Sequence, residues 1–399
     1  MIKFFLILFL ISCTAFKVED PKSGEEFLLK ETKKINFCRS KGFQLIGTSS
    51  SEVKDFGTYL KKDNTLSTIE KFALWALFQM NIHPDSSSPN SKVQILVSQN
   101  NNLSYFEYDD KKFGSTPLLD GLNDFLGKTN QKNTLSDLAK ILDNNFAQPV
   151  PIGSEFANFL KENREAIQKV PEFKAHFFKA NHLIIEKETL PNLNFSDLVN
   201  KRKNQFSFNS TLFSDSLNET SIVCNKKLSL AKDFIGPKGY SNHFGIREGD
   251  TIILGVTTLN PDTSGSFEGT FLFKEKDRNF RPIICSFKKG DSQILFVSDK
   301  DKGPGQHLYH LGEKNLLSKT FLEDFEKELS GFRYITLRNP KRIILESRRA
   351  TNQELVYFLN SKVPVYSVPS LGNIWGFVSL PSEEGFLKDP RNESYLFCD

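Results

Sequence analysis

The first strong periodicity in the chain is helical. Ile69, Phe72, Ala73, Ala76, Leu77 and Met80 recur three and four residues apart, behind a capping-box pair at Ser67 and Glu70, and the run ends at 81–84 with its proline. Apolar runs at 93–97 and 103–108, on either side of the turn-prone stretch 100–102, predict a pair of strands. Helical patterns then dominate at 118–126, 135–146, 155–168 and 172–186, and Phe156, Phe159, Leu160 and Ile167 make one apolar stripe in the third. The stretch 192–218 is rich in Asn, Ser and Lys and marks a boundary or a long surface loop. Beyond it, β-branched and aromatic runs at 222–224, 251–258, 266–273, 282–287 and 293–298 are punctuated by Gly, Pro and Asp and predict an antiparallel sheet. Thr320 with Glu323 opens a helix closing near Gly331, strands follow at 333–337 and 342–346, Thr351 with Glu354 caps a short helix, and 363–368 reads as a strand. Strand, helix and strand at that spacing make a βαβ unit. The expected fold class is α+β, with a mostly helical N-terminal half and a mixed β-sheet and βαβ C-terminal half.

The first residues set the compartment. Lys3 precedes an unbroken apolar run from Phe4 to Ile11, less than half of the roughly 20 residues a spanning helix needs, which is the form of a signal peptide. Leu10, Ile11, Ser12 and Cys13 then resemble the lipobox of bacterial lipoproteins. That resemblance implies cleavage before Cys13 and a lipid on its thiol, holding the protein at the cell envelope, with the outer membrane favoured over the inner. The competing expectation is soluble secretion after a cut behind Ala15. The expected organisation is a signal peptide at 1–12, lipidated cysteine and polar tether at 13–30, a mainly α-helical region at 31–200 and a mixed, β-rich region at 201–399.

Composition narrows the picture further. A chain with 38% hydrophobic and 25% charged residues is of the globular class, and a net charge of +4 over 100 charged residues is too mild to imply nucleic acid as a partner. The 38 phenylalanines predict a Phe-dominated core. Export makes an oxidising location, where Cys38, Cys224, Cys285 and Cys398 can pair. Three pairings and four buried thiols stay open on sequence alone, and the pairing favoured is Cys224 with Cys285 and Cys38 with Cys398.

Candidate chemistry gathers in 299–310, with two His, two Asp and a Gly-Pro-Gly turn. His307 and His310 are candidate metal ligands, with Asp299, Asp301 or Glu313 as a third, and the Gly-Pro-Gly backbone with its lysines is a candidate anion cradle. His176 and His182 are six apart on a predicted helix and do not face one another. Gly290-Asp291-Ser292 is similar to the nucleophile block of one esterase class. Arg338, Lys341, Arg342, Arg348 and Arg349 form a candidate anion or surface patch, able to meet phosphates at an envelope or simply to guard a sheet edge. No phosphate loop, nucleophile elbow or zinc-protease motif is present, and no cofactor is expected.

These readings favour a non-catalytic envelope lipoprotein that binds a protein or glycan partner. An envelope hydrolase with a site near His307 and His310, metal-dependent in one version, is the first alternative. A solute-binding lipoprotein is the second, because 342–368 resembles the strand-helix-strand unit of metal-chelate binding proteins. The anchor is directly testable: Cys13→Ser abolishes fatty-acid labelling and releases the protein from membranes, and continued labelling of the variant rules the lipobox out.

Overall fold

The computed structural model describes residues 42–47, 51–100, 102–110, 114–217, 220–228, 240–276, 282–299, 304–314, 316, 319–338, 340–391 and 395–398. Cys13, Cys38, Asp301 and the segments read as signal peptide and tether lie outside them. The strands are β1 (Gln44–Gly47), β2 (Lys92–Gln99), β3 (Asn102–Asp110), β4 (Val150–Pro151), β5 (Phe178–Lys179), β6 (His182–Leu183), β7 (Thr189–Leu190), β8 (Phe206–Asn209), β9 (Phe213–Leu217), β10 (Thr220–Cys224) and β11 (Tyr240–Glu248). They continue as β12 (Thr251–Leu259), β13 (Pro261–Ser266), β14 (Phe273–Glu275), β15 (Ile283–Lys289), β16 (Ser292–Asp299), β17 (Tyr334–Arg338), β18 (Lys341–Leu345), β19 (Val365–Ser367), β20 (Asn373–Ser379), β21 (Glu384–Leu387) and β22 (Tyr395–Cys398). The helices are α1 (Ser51–Lys62), α2 (Thr68–Ile82), α3 (Pro117–Lys128), α4 (Leu135–Asn145), α5 (Ser154–Glu162), α6 (Arg164–Ile167), α7 (Pro171–Phe177), α8 (Phe195–Asn200), α9 (Pro304–Glu313), α10 (Leu322–Ser330) and α11 (Asn352–Leu359).

The α+β class holds, with helices concentrated in the N-terminal half and mixed sheets and helices in the C-terminal half. Two large antiparallel sheets organise it, one in the order β22-β1-β11-β12-β2-β3-β8 and the other β21-β20-β16-β15-β10-β9. The first sheet therefore takes strands from both halves of the chain. The sheets stack face to face, since Leu96, Leu254 and Val256 of one share a buried cluster with Leu295, Val297 and Trp375 of the other. Helices α1 to α5 cover the outer face of the first sheet and α9 and α10 that of the second, giving four layers.

Helix α2 explains much of the first layer. It starts at the expected Ser67 and Glu70 capping box, and Leu74, Trp75, Leu77 and Phe78 spread apolar surface around it, so it is buried all round, its Lys71 and Gln79 included. Gly255 lets it approach: a Cβ there would lie 2.6 Å from the Phe72 ring. The abundant phenylalanines do pack this layer, with Phe56 stacked on Phe78 at 4.7 Å and Phe173 beside Phe273 at 4.5 Å.

Three local expectations are corrected. The predicted helix over 172–186 stops at Phe177, because Ala180 and Asn181 both take positive φ and turn the chain into the β5–β6 hairpin. The predicted strand over 266–273 is instead the bend joining β13 to β14, closed by Phe267 N–H donating to Leu272 O at 2.7 Å. The loop expected at 299–310 is largely helix α9. The βαβ unit does form: β18 and β19 pair in parallel around α11, which starts at the Thr351 and Glu354 capping box.

Cys224 and Cys285 are disulfide-bonded and sit directly opposite each other on β10 and β15. Cys398 is disulfide-bonded too. No helix among the described residues is long and apolar enough to cross a membrane.

A buried charge cluster locks the C-terminal elements together. Arg333 Nη1 lies 2.6 Å from Asp389 Oδ2, while Arg391 reaches Glu346 Oε2 at 2.5 Å and Asp389 Oδ1 at 3.2 Å. Leu371 N–H donates to Glu346 and Ile374 N–H to Asp389, and Arg391 also donates to Leu329 O and Gly331 O. Removing one partner strands the others, so Arg391→Ala is expected to cost about 3–5 kcal/mol, read as a lower urea midpoint at unchanged m-value. Burial works to raise the Asp389 carboxyl, and Arg333 and Arg391 more than offset it, holding it below the usual range. Its contribution is therefore complete above an unfolded pKa near about 3.9 and is lost as pH falls through the lower folded value. Melting curves from pH 6 to pH 3 should show a steeper loss in the wild type than in Asp389→Asn.

Candidate functional site

Most of the layer between the two sheets is apolar, but at one end its lining changes. Residues of the first sheet that share the inward face with Leu96, Leu254 and Val256 form rows across the strands. One row runs His243, Val256, Gln94, Glu107, and the next runs Ser241, Thr258, Lys92. Lys92 Nζ meets Asp109 at 2.8 Å, which extends that last row. From the facing sheet come Asp299, the last residue of β16, and Asn373, the first of β20, paired with each other. All of these side chains except Asp109 are buried.

The contacts within the cluster are specific. Ser241 Oγ lies 3.4 Å from Thr258 Oγ1. Asn373 Nδ2 donates to Asp299 Oδ1 at 2.7 Å and lies 3.4 Å from His243 Nδ1. With that amide donating into Nδ1, the His243 proton is assigned to Nε2, making Nε2–H a donor. The imidazole is stacked on Trp375, ring centres 4.7 Å apart. Farther along, Tyr105 donates to Glu107 at 2.8 Å and receives Gln94 and Asn225 at 3.0 and 3.1 Å. Burial, then the Glu107 charge, pushes the Tyr105 hydroxyl well above its ordinary range, so it stays a neutral donor.

The head of β11 is held from the helix side as well. Asn242 donates to Gln79 Oε1 at 2.7 Å and to Ser87 Oγ at 3.3 Å, and Ser87 is 2.6 Å from Thr257. Below it, the loop after α2 is buried yet polar, with Ser88 donating to Phe273 O at 2.6 Å. Ser241 keeps 7% exposure while His243 and Asp299 have none, which puts the residue nearer the rim of the cluster than either of them.

Residues singled out in the sequence end up apart. His307 and His310 lie on α9, on the far side of the second sheet. His310 packs on Tyr334 at 4.5 Å, and its Nδ1 is 3.9 Å from Glu313 Oε2. Among the described residues no three His, Cys, Asp or Glu converge to hold a metal, so the metal site expected at His307 and His310 is not supported. Asp299 points instead into the layer between the sheets. Gly290-Asp291-Ser292 forms the hairpin turn between β15 and β16, with Gly290 at φ 57°, at the end of β16 opposite Asp299. His176 packs against Phe271, and His182 lies 3.6 Å from Glu188. The arginine patch divides: Arg338, Lys341 and Arg348 are exposed, Arg342 is half-buried and donates to Pro340 O, and Arg349 turns inward to Ser330 O.

Sequence reasoning missed Ser241, His243 and Asn373. The segment Tyr240-Ser241-Asn242-His243 carries polar residues on both faces and hides the strand.

The chain shares its fold with solved structures over almost its whole length. Cephalosporin acylase from Bacillus halodurans superposes with a TM-score of 0.65 at 8% identity, over 96% of this chain and 99% of that one. LmbA2991HD does so with 0.68 at 8% identity, over 92% and 100%. At such identity the likeness is one of fold. No protein-family model and no curated protein matches the sequence. On this finding the expectation of a non-catalytic binding lipoprotein is corrected: the fold over nearly the whole chain is one that a cephalosporin acylase also has.

The His310 environment gives a pH test. Burial, then His307 and Lys314, pulls its imidazole down to about 4. The folded protein keeps it neutral while the unfolded chain takes up a proton below about 6.5, so stability contributed by this site is full above that pH and falls toward pH 4. In denaturant titrations at pH 7 and 4.5, His310→Phe should lose less stability on acidification than the wild type.

Proposed function

We propose that this protein is an acyl-transferring amide hydrolase whose nucleophile is the Ser241 hydroxyl. The observation that carries this reading is the polar end of the inter-sheet layer, with Ser241 at its rim on the head of a central strand. The cephalosporin acylase fold supports the choice of bond class. The export signal and lipobox support action at a bacterial envelope, with the protein held there by a lipid on Cys13.

A serine hydroxyl needs a base, and among the described residues its neighbours supply none. Thr258 is itself a hydroxyl, Lys92 is committed to Asp109 as a cation, and His243 presents a donor. A free amine on the nucleophile's own residue can serve instead, as in threonine enzymes activated by their terminal amine. Hydrolysis of the Tyr240–Ser241 bond would create it, leaving a carboxylate on Tyr240 and an amine of pKa about 8, of which roughly a tenth is unprotonated at pH 7. That amine takes the Ser241 Oγ proton as Oγ bonds to the substrate carbonyl carbon. The carbon–nitrogen bond then breaks and the leaving amine receives the proton. Water cleaves the resulting ester, releasing the acid and restoring the hydroxyl. His243, on the same face about 6.7 Å along the strand, is placed to donate to the acyl portion of the substrate, with Asn373 and Asp299 holding its ring.

The test combines mass and activity. The purified chain should yield two fragments, the second beginning at Ser241, and should hydrolyse members of an acyl-amide panel. Ser241→Ala should stay intact and lose activity at least about 1,000-fold, as expected when a nucleophile is removed. Unchanged hydrolysis by Ser241→Ala would refute the assignment.

A further inference from the structure

Cutting the chain between Tyr240 and Ser241 divides both large sheets. A first chain ending at Tyr240 carries β1 to β10, and a second beginning at Ser241 carries the rest of β11 and every strand from β12 to β22. In the sheet β22-β1-β11-β12-β2-β3-β8 the two chains meet where β22 borders β1, where β1 borders β11 and where β12 borders β2. In the sheet β21-β20-β16-β15-β10-β9 they meet where β10 borders β15.

Two pieces are then left at sheet edges against the other chain. The β9–β10 pair supplies, among the described residues, the first chain's share of the second sheet. Strand β22, four residues long, supplies the second chain's edge beside β1. In the uncut molecule β10 is joined to β11 through 225–240, and the cut removes that path. Short edge elements near a new chain end are where local opening begins.

A disulfide stands at each of these edges. Cys224 and Cys285 are bonded and directly opposite on β10 and β15, so the bond lies on the seam itself, and both are fully buried. Cys398 of β22 is disulfide-bonded as well. The chain has five cysteines, and with Cys224 and Cys285 paired, those left for Cys398 are Cys13 and Cys38. Both lie outside the described residues, and both precede Tyr240. The seam bond also bears on the site, because Asn225 follows Cys224 directly. Its Nδ2 donates to Tyr105 Oη at 3.1 Å and to Pro282 O at 3.2 Å, and its Oδ1 accepts the Ile284 N–H at 3.0 Å. The end of β10 thereby ties the Tyr105 and Glu107 part of the cluster to β15.

We propose that the working enzyme is two chains joined covalently across the cut, by Cys224–Cys285 at the β10–β15 seam and by a bond from Cys398 to a cysteine of the first chain. This rests on the Tyr240–Ser241 scission proposed above. Hydrolysis of that one peptide bond leaves both sulfur–sulfur bonds untouched. In the uncut chain Cys224–Cys285 closes a loop across a sequence separation of 61. Once the loop is opened, the same bond links two molecules and makes their contact intramolecular. The chain that bears the nucleophile thus stays with the chain that bears Cys13, and Asn225 stays in the cluster.

The full chain, purified with its free thiols alkylated, tests this on denaturing gels run with and without dithiothreitol. A single band of whole-chain mass should appear without reductant and two fragments with it. Peptide mapping without reduction should return Cys224 linked to Cys285, and Cys398 linked to a peptide that precedes residue 240. Two fragments in both lanes would keep the scission and overturn the covalent link. One band in both lanes would defeat the scission itself, and this proposal with it. In solution, a roughly tenfold dilution should leave the urea midpoint of the cut wild type in place and lower that of the cut Cys224→Ala/Cys285→Ala/Cys398→Ala variant, whose unfolding separates two molecules. A variant midpoint that also ignores dilution would overturn the proposal, and should this variant fail to fold, the gels and the peptide map decide.

Discussion

Stacking two sheets face to face dehydrates both inner surfaces at once, and every other feature of this molecule answers to that constraint. Where both sheets present Leu, Val, Ile and Phe, the layer closes without polar groups. At one end the inward positions carry Ser241, His243, Thr258, Lys92, Gln94 and Glu107 from one sheet and Asp299 and Asn373 from the other. Each such group costs about 1–3 kcal/mol if its hydrogen bonds go unmade, against a net stability of roughly 5–15 kcal/mol for a whole domain. The opposite end is polar as well, through Arg247 with Glu384 and Ser98 with Gln293, but those groups close on one another across the sheets.

The surrounding elements hold that end in register. Helix α2 grips β11 twice, through Gln79 and Asn242 at its head and through Lys71 Nζ and Glu248 Oε1, 2.7 Å apart, at its tail. On the facing sheet, Asp389 accepts the Ile374 amide next to Asn373. The buried charge cluster therefore positions the residue that contacts His243, as well as joining the outer βαβ layer to the body. A fault in Arg391 or Glu346 would reach the site through the head of β20.

Elements defined by local periodicity were legible in the sequence. The capping boxes at Ser67 and Thr351, the β2–β3 pair and the βαβ unit all follow from spacing and caps that act within a few residues. Helix α9 was hidden by Gly303, Pro304 and Gly305, which read as a turn, although a proline in the first turn of a helix is well tolerated. Strand β11 was hidden for the opposite reason. Its first residues are polar on both faces, because the inward face lines the cluster and Asn242 on the other reaches Gln79 and Ser87. The site itself had no local signature, since its residues come from β2, β11, β12, β16 and β20 and meet only through cross-strand register.

Position along the strand also bears on what chemistry this end can support. A hydroxyl in the middle of β11 would be enclosed by both sheets, with no path for an acyl group. At the second residue of the strand, Ser241 has a cross-strand partner in Thr258 to fix its place, yet lies where the two sheets end. The rigidity of this end is thus supplied by cross-strand register, and its small residual exposure falls at the start of the strand. His243, two residues deeper and stacked on Trp375, has no exposure, whereas Ser241 keeps 7%. That gradient from rim to interior, set by where a single strand begins, is the physical reason the proposed mechanism gives attack to the serine and donation to the histidine.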